Sequence, residues 1–252
     1  LGRRAAQALA EQWKHGEPEC PTGRFVRLAI KDMETRGFAG RVSQFSLAMR
    51  ETLPRDTGIA MGIIRDSFPA PLPDCESVTD GWLQWPIGQF IADYGLAHFD
   101  ESMQTMLELT QRFSAEFAVR PFMEHHSNET IAYLKTQIDH PSPHVRRWCS
   151  EGTRTRLPWG KKLNELIKNP KPILPILDAL KSDEERYVRR SVANNLNDIA
   201  KDHPDSVIAK CDKWLKSDKP HTNAVVKHEL RSLMKDGNKY AVSVRALSQP
   251  QK

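Results

Sequence analysis

Tyr187-Val188-Arg189-Arg190-Ser191-Val192-Ala193-Asn194-Asn195-Leu196-Asn197-Asp198-Ile199-Ala200-Lys201 reads as a single helix. Val188, Val192, Leu196 and Ile199 fall on one stripe at three- and four-residue spacing, which a helix must bury. Arg190, Asn194 and Asp198 form an i, i+4, i+8 row beside that stripe. The pattern has an earlier copy 43 residues upstream, where His144-Val145-Arg146-Arg147-Trp148-Cys149-Ser150-Glu151 aligns Val145-Arg146-Arg147 with Val188-Arg189-Arg190. A weaker third copy follows at Val226-Lys227-His228-Glu229-Leu230, 38 residues after Val188. Two-helix repeats of HEAT or armadillo type have a period of about 40–47 residues, and they stack so that each covers its neighbour's apolar face. The spacing therefore predicts an all-α fold, a HEAT-like helical-repeat solenoid with a concave basic face.

The rest of the chain agrees with a helical reading. Segments of helical periodicity are punctuated by Asp139-His140-Pro141-Ser142-Pro143, Asn169-Pro170-Lys171-Pro172 and Asp202-His203-Pro204-Asp205, each a helix-start signal. Alternating strand patterns are nearly absent. The exception is Ser67–Gly81, where Phe68-Pro69-Ala70-Pro71-Leu72-Pro73 reads as a loop. On this basis residues 1–80 form an N-terminal helical group with its Pro-rich loop. Residues 81–252 form the repeat region, the two making one continuous solenoid.

Charge is divided unevenly along these 252 residues. Residues 1–140 carry 14 basic and 19 acidic side chains, whereas 141–252 carry 23 and 13. A basic half of this kind suits a polyanionic partner, and a solvated helical surface is the plainer alternative. No apolar run approaches the ~18 residues of a spanning helix, so a membrane role is excluded. Cys20, Cys75, Cys149 and Cys211 are far apart and lack any Cys-x-x-Cys, which disfavours zinc or a disulfide framework and suits a reducing, cytoplasmic setting.

Within the basic half, Arg147, Glu151 and Thr155 form the row equivalent to Arg190, Asn194 and Asp198. The arginines match between copies and the acids do not, so Glu151 and Asp198 stand at staggered heights on one side of the array. They could converge on a patch, or Arg147–Glu151 could be an ordinary i,i+4 ion pair worth about 0.3–0.5 kcal/mol.

Several further stretches occur in a fixed order. They are Phe113-Ser114-Ala115-Glu116-Phe117-Ala118-Val119-Arg120-Pro121-Phe122, His140-Pro141-Ser142-Pro143-His144-Val145-Arg146-Arg147, Ser150-Glu151-Gly152-Thr153-Arg154, Arg156-Leu157-Pro158-Trp159-Gly160 and the 187–201 helix. In this order and spacing the chain, from about Trp82 to Leu230, resembles the AlkC family of bacterial DNA alkylation-repair glycosylases, within the HEAT-like superfamily that also contains AlkD. The resemblance implies an enzyme of base excision repair that cleaves the N-glycosidic bond of cationic N-alkylated bases, of the 3-methyladenine or 3-methylcytosine type, in duplex DNA. It implies no cofactor, no metal and a monomer acting on alkylated double-stranded DNA. Carried over residue by residue, it implies an active-site group of Glu116, Glu151, Trp159 and Asp198.

These residue types suit that chemistry. A 3-methylated base is already a cationic leaving group, so rate depends on stabilising an oxocarbenium-like sugar, as in glycoside hydrolysis. Carboxylates supply that stabilisation electrostatically and one can orient the attacking water. An indole face attracts a cation by about 0.5–2 kcal/mol. On this chemistry we assign Asp198 and Glu151 to the sugar cation and water, Glu116 to the cationic base and Trp159 to stacking. Each has a plainer alternative: Glu116 paired with Arg120, Asp198 an exposed partner of Lys201, and Trp159 packing a loop. Trp82 and Trp85 read as core residues.

DNA contacts are expected from Arg147 and Arg190 at matched repeat positions, and from Arg154, Arg156, Lys161 and Lys162 around Trp159. Some members of the family carry an additional C-terminal β-sandwich that helps grip DNA; this sequence reads to Lys252 through a polar tail, Ser248-Gln249-Pro250-Gln251, with no strand-rich segment. The competing function is a non-catalytic HEAT-like scaffold for nucleic acid or protein. Such a scaffold has no use for three carboxylates converging on a Trp, since acids weaken DNA affinity.

Overall fold

A computed structural model of the chain describes residues 1–73, 75, 81–217 and 221–235, with side chains followed to His228 in the last segment. The described residues are helical, without strands, and divide into two compact units, 1–125 and 126–252. Glu229 and Leu230 of the third copy lie outside the described side chains, and the polar tail at 248–251 lies outside the described residues.

The first unit contains α1 (Arg3–Trp13), α2 (Thr22–Ala29), α3 (Phe38–Thr52), α4 (Thr57–Asp66), α5 (Trp85–Tyr94), α6 (Phe99–Thr110) and α7 (Arg120–His125). Its core runs through Trp13, Phe25 and Phe45, whose rings meet edge-on at centroid distances of 4.4 and 6.0 Å. Asp56 caps α4 by accepting the Ile59 N–H at 3.0 Å, satisfying one of the donors that every helix start leaves over. The boundary expected at residue 80 falls inside this unit. The side chains of Gln12 and Gln84 exchange hydrogen bonds at 2.8 and 3.2 Å, and Phe38 lies against both Trp82 and Trp85. Residues after the Pro-rich loop therefore share an apolar core with the N-terminal helices. Trp82, read as a core residue, is 43% exposed, because it caps the edge of this aromatic group rather than its centre.

The second unit contains α8 (Ser127–Thr136), α9 (Pro143–Glu151), α10 (Asn164–Lys168), α11 (Leu174–Leu180), α12 (Arg186–Ala200), α13 (Pro204–Leu215) and α14 (Thr222–Lys235). Pro143 and Pro204 stand in the first turns of α9 and α13, where a missing N–H costs nothing. The three sequence copies become α9, α12 and α14, laid side by side in one layer. In a second layer α11 lies against α9 and α12, and α13 lies against α12 and α14. Val145, Val188 and Val226, the aligned residues of the three copies, are fully buried. Val192, Leu196 and Ile199 complete the α12 stripe at 2% exposure or less, each worth about 1.5–3 kcal/mol of transfer free energy.

The repeat is also visible in hydrogen bonds. Arg146 Nη1 donates to the carbonyls of His140 and Pro141 at 2.9 Å, six and five residues back. Arg189 does the same to Asp183 and Glu184 at 2.6 and 2.8 Å. The first arginine of each Val-Arg-Arg thus ties down the loop that launches its own helix. Arg146 further forks onto the Asp183 carboxylate at 2.7 and 3.0 Å, joining one repeat to the next. The second arginine of each pair, Arg147 and Arg190, is left for the face of the layer.

Candidate active site

Glu151 is the last residue of α9 and Asp198 lies in the last turn of α12. Adjacent helices of equal sense bring both acids to the same end of the layer. They are 4% and 3% exposed, so neither is a solvated surface acid. Between them stands Arg154, in the turn after α9: its Nη1 donates to Glu151 Oε1 and its Nε to Asp198 Oδ2, both at 2.8 Å. Arg147 Nη2 approaches the same Glu151 oxygen at 3.5 Å, one turn earlier on α9. Its guanidinium also covers the ring of Tyr187 on α12 at 4.8 Å. The i,i+4 pair anticipated from the sequence exists, as one edge of a buried network rather than as an isolated surface bridge.

Burial by itself would push the Glu151 carboxyl up. The charges of Arg147 and Arg154, with the hydrogen bond from Arg154, outweigh it and hold Glu151 below the ordinary carboxylate range. Glu151 is therefore anionic at neutral pH inside a nearly water-free setting. Desolvation acts against the Arg154 charge in the same way, and the two acids overcome it and raise its pKa.

The two oxygens of Asp198 have different surroundings. Oδ2 is fixed by buried Arg154, whereas Oδ1 meets Lys201 Nζ at 3.2 Å, and the Lys201 side chain is 55% exposed. An exposed lysine contributes about 0–1 kcal/mol and swings away readily, so Oδ1 is the oxygen that an incoming group can reach. Asn195, fully buried one turn before Asp198, donates to the Ser150 carbonyl at 2.7 Å and to Thr153 Oγ1 at 3.1 Å. That bracket fixes the end of α9 against α12, and with it the relative height of the two acids.

The segment that leaves α9 is tied to α12 twice. Arg154 holds Asp198, and Arg156 forks onto Asp202 through contacts of 2.8 Å. Three residues beyond Arg156 comes Trp159, which is 88% exposed and has φ 61. The packing role considered for it does not apply: the indole is presented to solvent, on a backbone conformation that costs a non-glycine residue about 1–2 kcal/mol.

Glu116 belongs to the first unit, in the turn before α7, where it accepts a hydrogen bond from the Ser114 hydroxyl at 2.7 Å. Beside it, Phe117 stacks on Trp85 with ring centroids 5.3 Å apart and planes within 8°. The second unit thus brings Glu151 and Asp198 together through Arg154, and it places Trp159 on the loop anchored at that end.

Of the expected DNA-contacting cations, Lys161, Lys162 and Arg190 are exposed, whereas Arg147 and Arg156 are partly buried and engaged as described. Arg154 differs from expectation. At 8% exposure and held by two carboxylates, it organises the acids and has no free face for a phosphate. The i,i+3 spacing from Glu151 to Arg154 was the available signal for this role. Asn195 carried no such signal, because its partners, Ser150 and Thr153, lie at the end of α9 and not on its own helix.

No family model matches the chain. It is 39% identical over 228 residues to the uncharacterized protein YhaZ of Bacillus subtilis, an alignment covering 90% of this chain and 61% of that protein. Its structure is similar to that of Pseudomonas fluorescens alkylpurine DNA glycosylase AlkC bound to DNA containing an abasic site analog. The TM-score is 0.85 at 32% sequence identity, covering 96% of this chain and 66% of the Pseudomonas chain. The chain therefore spans less than two thirds of the length of the proteins it matches.

Proposed function

This chain belongs to the AlkC family, and from that premise we propose that it is a DNA glycosylase that hydrolyses the N-glycosidic bond of cationic N-alkylated bases in duplex DNA. The observation that carries the reading is the pair of buried acids, Glu151 and Asp198, held by one arginine at the end of a basic helical layer and followed by an exposed Trp159. A surface meant only to hold DNA gains nothing from such acids.

The reaction divides among these groups as follows. The C1′–N bond breaks with its electron pair leaving on the base, which departs neutral because it began as a cation. Positive charge appears on the sugar, where Asp198 and Glu151 stabilise it through space. A water adds its oxygen to C1′ and loses a proton to solvent, oriented by Asp198 Oδ1, the oxygen whose partner is an exposed lysine. Trp159 offers its face to the cationic base or sugar. Arg154 keeps Glu151 ionised and holds both acids at fixed height without touching substrate. Arg147, Arg156, Lys161, Lys162 and Arg190 hold phosphates.

Lesions of the 3-methyladenine type are the substrates this chemistry favours, since a fixed positive charge removes the need for a strong general acid. Incubation with methylated duplex followed by alkali is the test. Alkali-labile nicks that increase with enzyme are expected for wild type; no nicks above an enzyme-free control would exclude glycosylase activity.

A further inference from the structure

Trp159 occupies a turn that its residue type does not favour. The Gly160 N–H donates to the Leu157 carbonyl at 3.0 Å, so Leu157-Pro158-Trp159-Gly160 is a hydrogen-bonded β-turn. Proline at the second position and φ 61 at the third make it a type II turn, whose third position normally takes glycine or asparagine. A bulky side chain in this left-handed region is strained and persists only where its surroundings over-determine it. The indole gains no packing in return, since it is presented to solvent.

Three contacts supply that hold. The Leu163 N–H donates to the Thr155 carbonyl at 3.1 Å, closing the loop of residues 155–163. Leu157 and Leu163 are both buried, and a Cβ on Gly160 would come within 3.0 Å of Leu157 Cδ2, so glycine lets the turn fold down onto its own leucine. Ahead of the turn, Arg156 Nη2 lies 2.8 Å from both oxygens of Asp202, and its Nε lies 3.3 Å from one of them. Such a fork fixes the direction of the arginine as well as its distance.

The position of Asp202 gives this fork its meaning. Asp202 stands in the turn after α12, four residues beyond Asp198, with its N–H bonded to the Ile199 carbonyl at 3.1 Å. Arg154 and Arg156 are two apart in the connection that leaves α9. Asp198 takes the first and Asp202 the second, so one helix end carries both the acid proposed to face the sugar and the anchor of the Trp159 loop.

We propose that Asp202 is a positioning residue for Trp159. Through Arg156 it fixes the start of the strained turn, and with it the height and side at which the indole meets substrate relative to Asp198. The proposal rests on the DNA-glycosylase reading for what the indole meets, whereas the hold on the indole does not depend on that reading.

The test joins base release to fluorine NMR of protein carrying 5-fluorotryptophan, in which the Trp159 resonance is the one lost in Trp159→Phe. In wild type the resonance should have the width of a group that tumbles with the protein, and in Asp202→Asn it should sharpen as the turn gains fast motion. Single-turnover base release at saturating enzyme should fall about 2- to 5-fold in Asp202→Asn, the factor equivalent to an exposed cation–π contact. Affinity for undamaged duplex should stay equal or rise, because one negative charge has gone. Groups that act through one another are non-additive, so in a Trp159→Ala background Asp202→Asn should change release by less than about twofold. Asp202→Glu, which keeps the charge opposite Arg156, should restore both the broad resonance and most of the release.

An unmoved Trp159 resonance in Asp202→Asn would overturn the proposal, as would a sharpened resonance with wild-type release. The same loss of release in both backgrounds, release and DNA affinity falling together, or no recovery in Asp202→Glu would mark a merely structural role and overturn it too. A wild type that releases no base while the resonance sharpens in Asp202→Asn removes only the glycosylase reading. A wild type that releases base while the resonance stays unmoved in Asp202→Asn removes only the positioning role.

Discussion

Replacing Arg154 with Gln removes the cation that Glu151 and Asp198 share, leaving a shorter, uncharged donor. The two acids, 4% and 3% exposed, are then left with Arg147 at 3.5 Å and the exposed Lys201 at 3.2 Å. Removing one partner of a buried ion pair costs about 3–5 kcal/mol. The remaining cations and the glutamine amide place the loss at the lower end, near 3 kcal/mol, a large share of a total stability of about 5–15 kcal/mol. At about 2–4 °C per kcal/mol for a chain of this size, the melting temperature at pH 7 should fall by about 6–12 °C. The pH dependence tells charge from packing. Glu151 is depressed in the folded protein, so its contribution is complete above the ordinary carboxylate value of about 4.3 and is lost as pH falls through the lower folded value. Arg154 is one cause of that depression, so the gap between wild type and variant should narrow as the pH falls below about 4. Thermal unfolding by circular dichroism from pH 7 to pH 3 measures both effects. A gap below about 1 °C at pH 7, or one that stays constant into acid, would refute the electrostatic role given to Arg154.

Three other substitutions separate the groups at the site. Asp198→Asn keeps the shape and removes the charge facing the sugar, so base release should fall by about 10²–10³, the cost of losing one preorganised electrostatic group. Lys201→Ala should change it by less than about fivefold, and equal losses in the two variants would contradict the assignment of Oδ1 as the working oxygen. Trp159→Ala should leave the melting temperature unchanged, because the indole is 88% exposed, yet lower base release by about 2- to 30-fold through loss of a cation–π contact. Unaltered release would remove Trp159 from the site.

The helical repeat was legible because its signal is local. The 43-residue offset, the Val188–Ile199 stripe and the proline-marked helix starts each depend on neighbours within one element, and α9, α12 and α14 follow them. The domain boundary was less legible: three prolines suggested a break near residue 80, yet Gln12–Gln84 and the Phe38–Trp82–Trp85 group are contacts over long separations that no periodicity encodes. The site divides along the same line. Glu151 and Asp198 could be placed at one end of the layer from repeat register. The role of Arg154 could not be read, since among a run of basic residues a buried guanidinium looks like any surface cation. Its burial follows from Asp198, 44 residues away. The net charge of +5 likewise conceals the point of interest, which is the two acids inside the basic half.

The central claim is hydrolysis of a glycosidic bond at Glu151 and Asp198, and the most direct measurement is release of free base. Duplex DNA methylated with a simple alkylating agent is incubated with wild type and with Asp198→Asn, and the soluble fraction is resolved chromatographically. The account predicts 3-methyladenine in the wild-type supernatant, matched by an equal number of abasic sites in the DNA, and little above background from the variant. Methylated DNA that binds the wild-type protein yet yields no free base would contradict it.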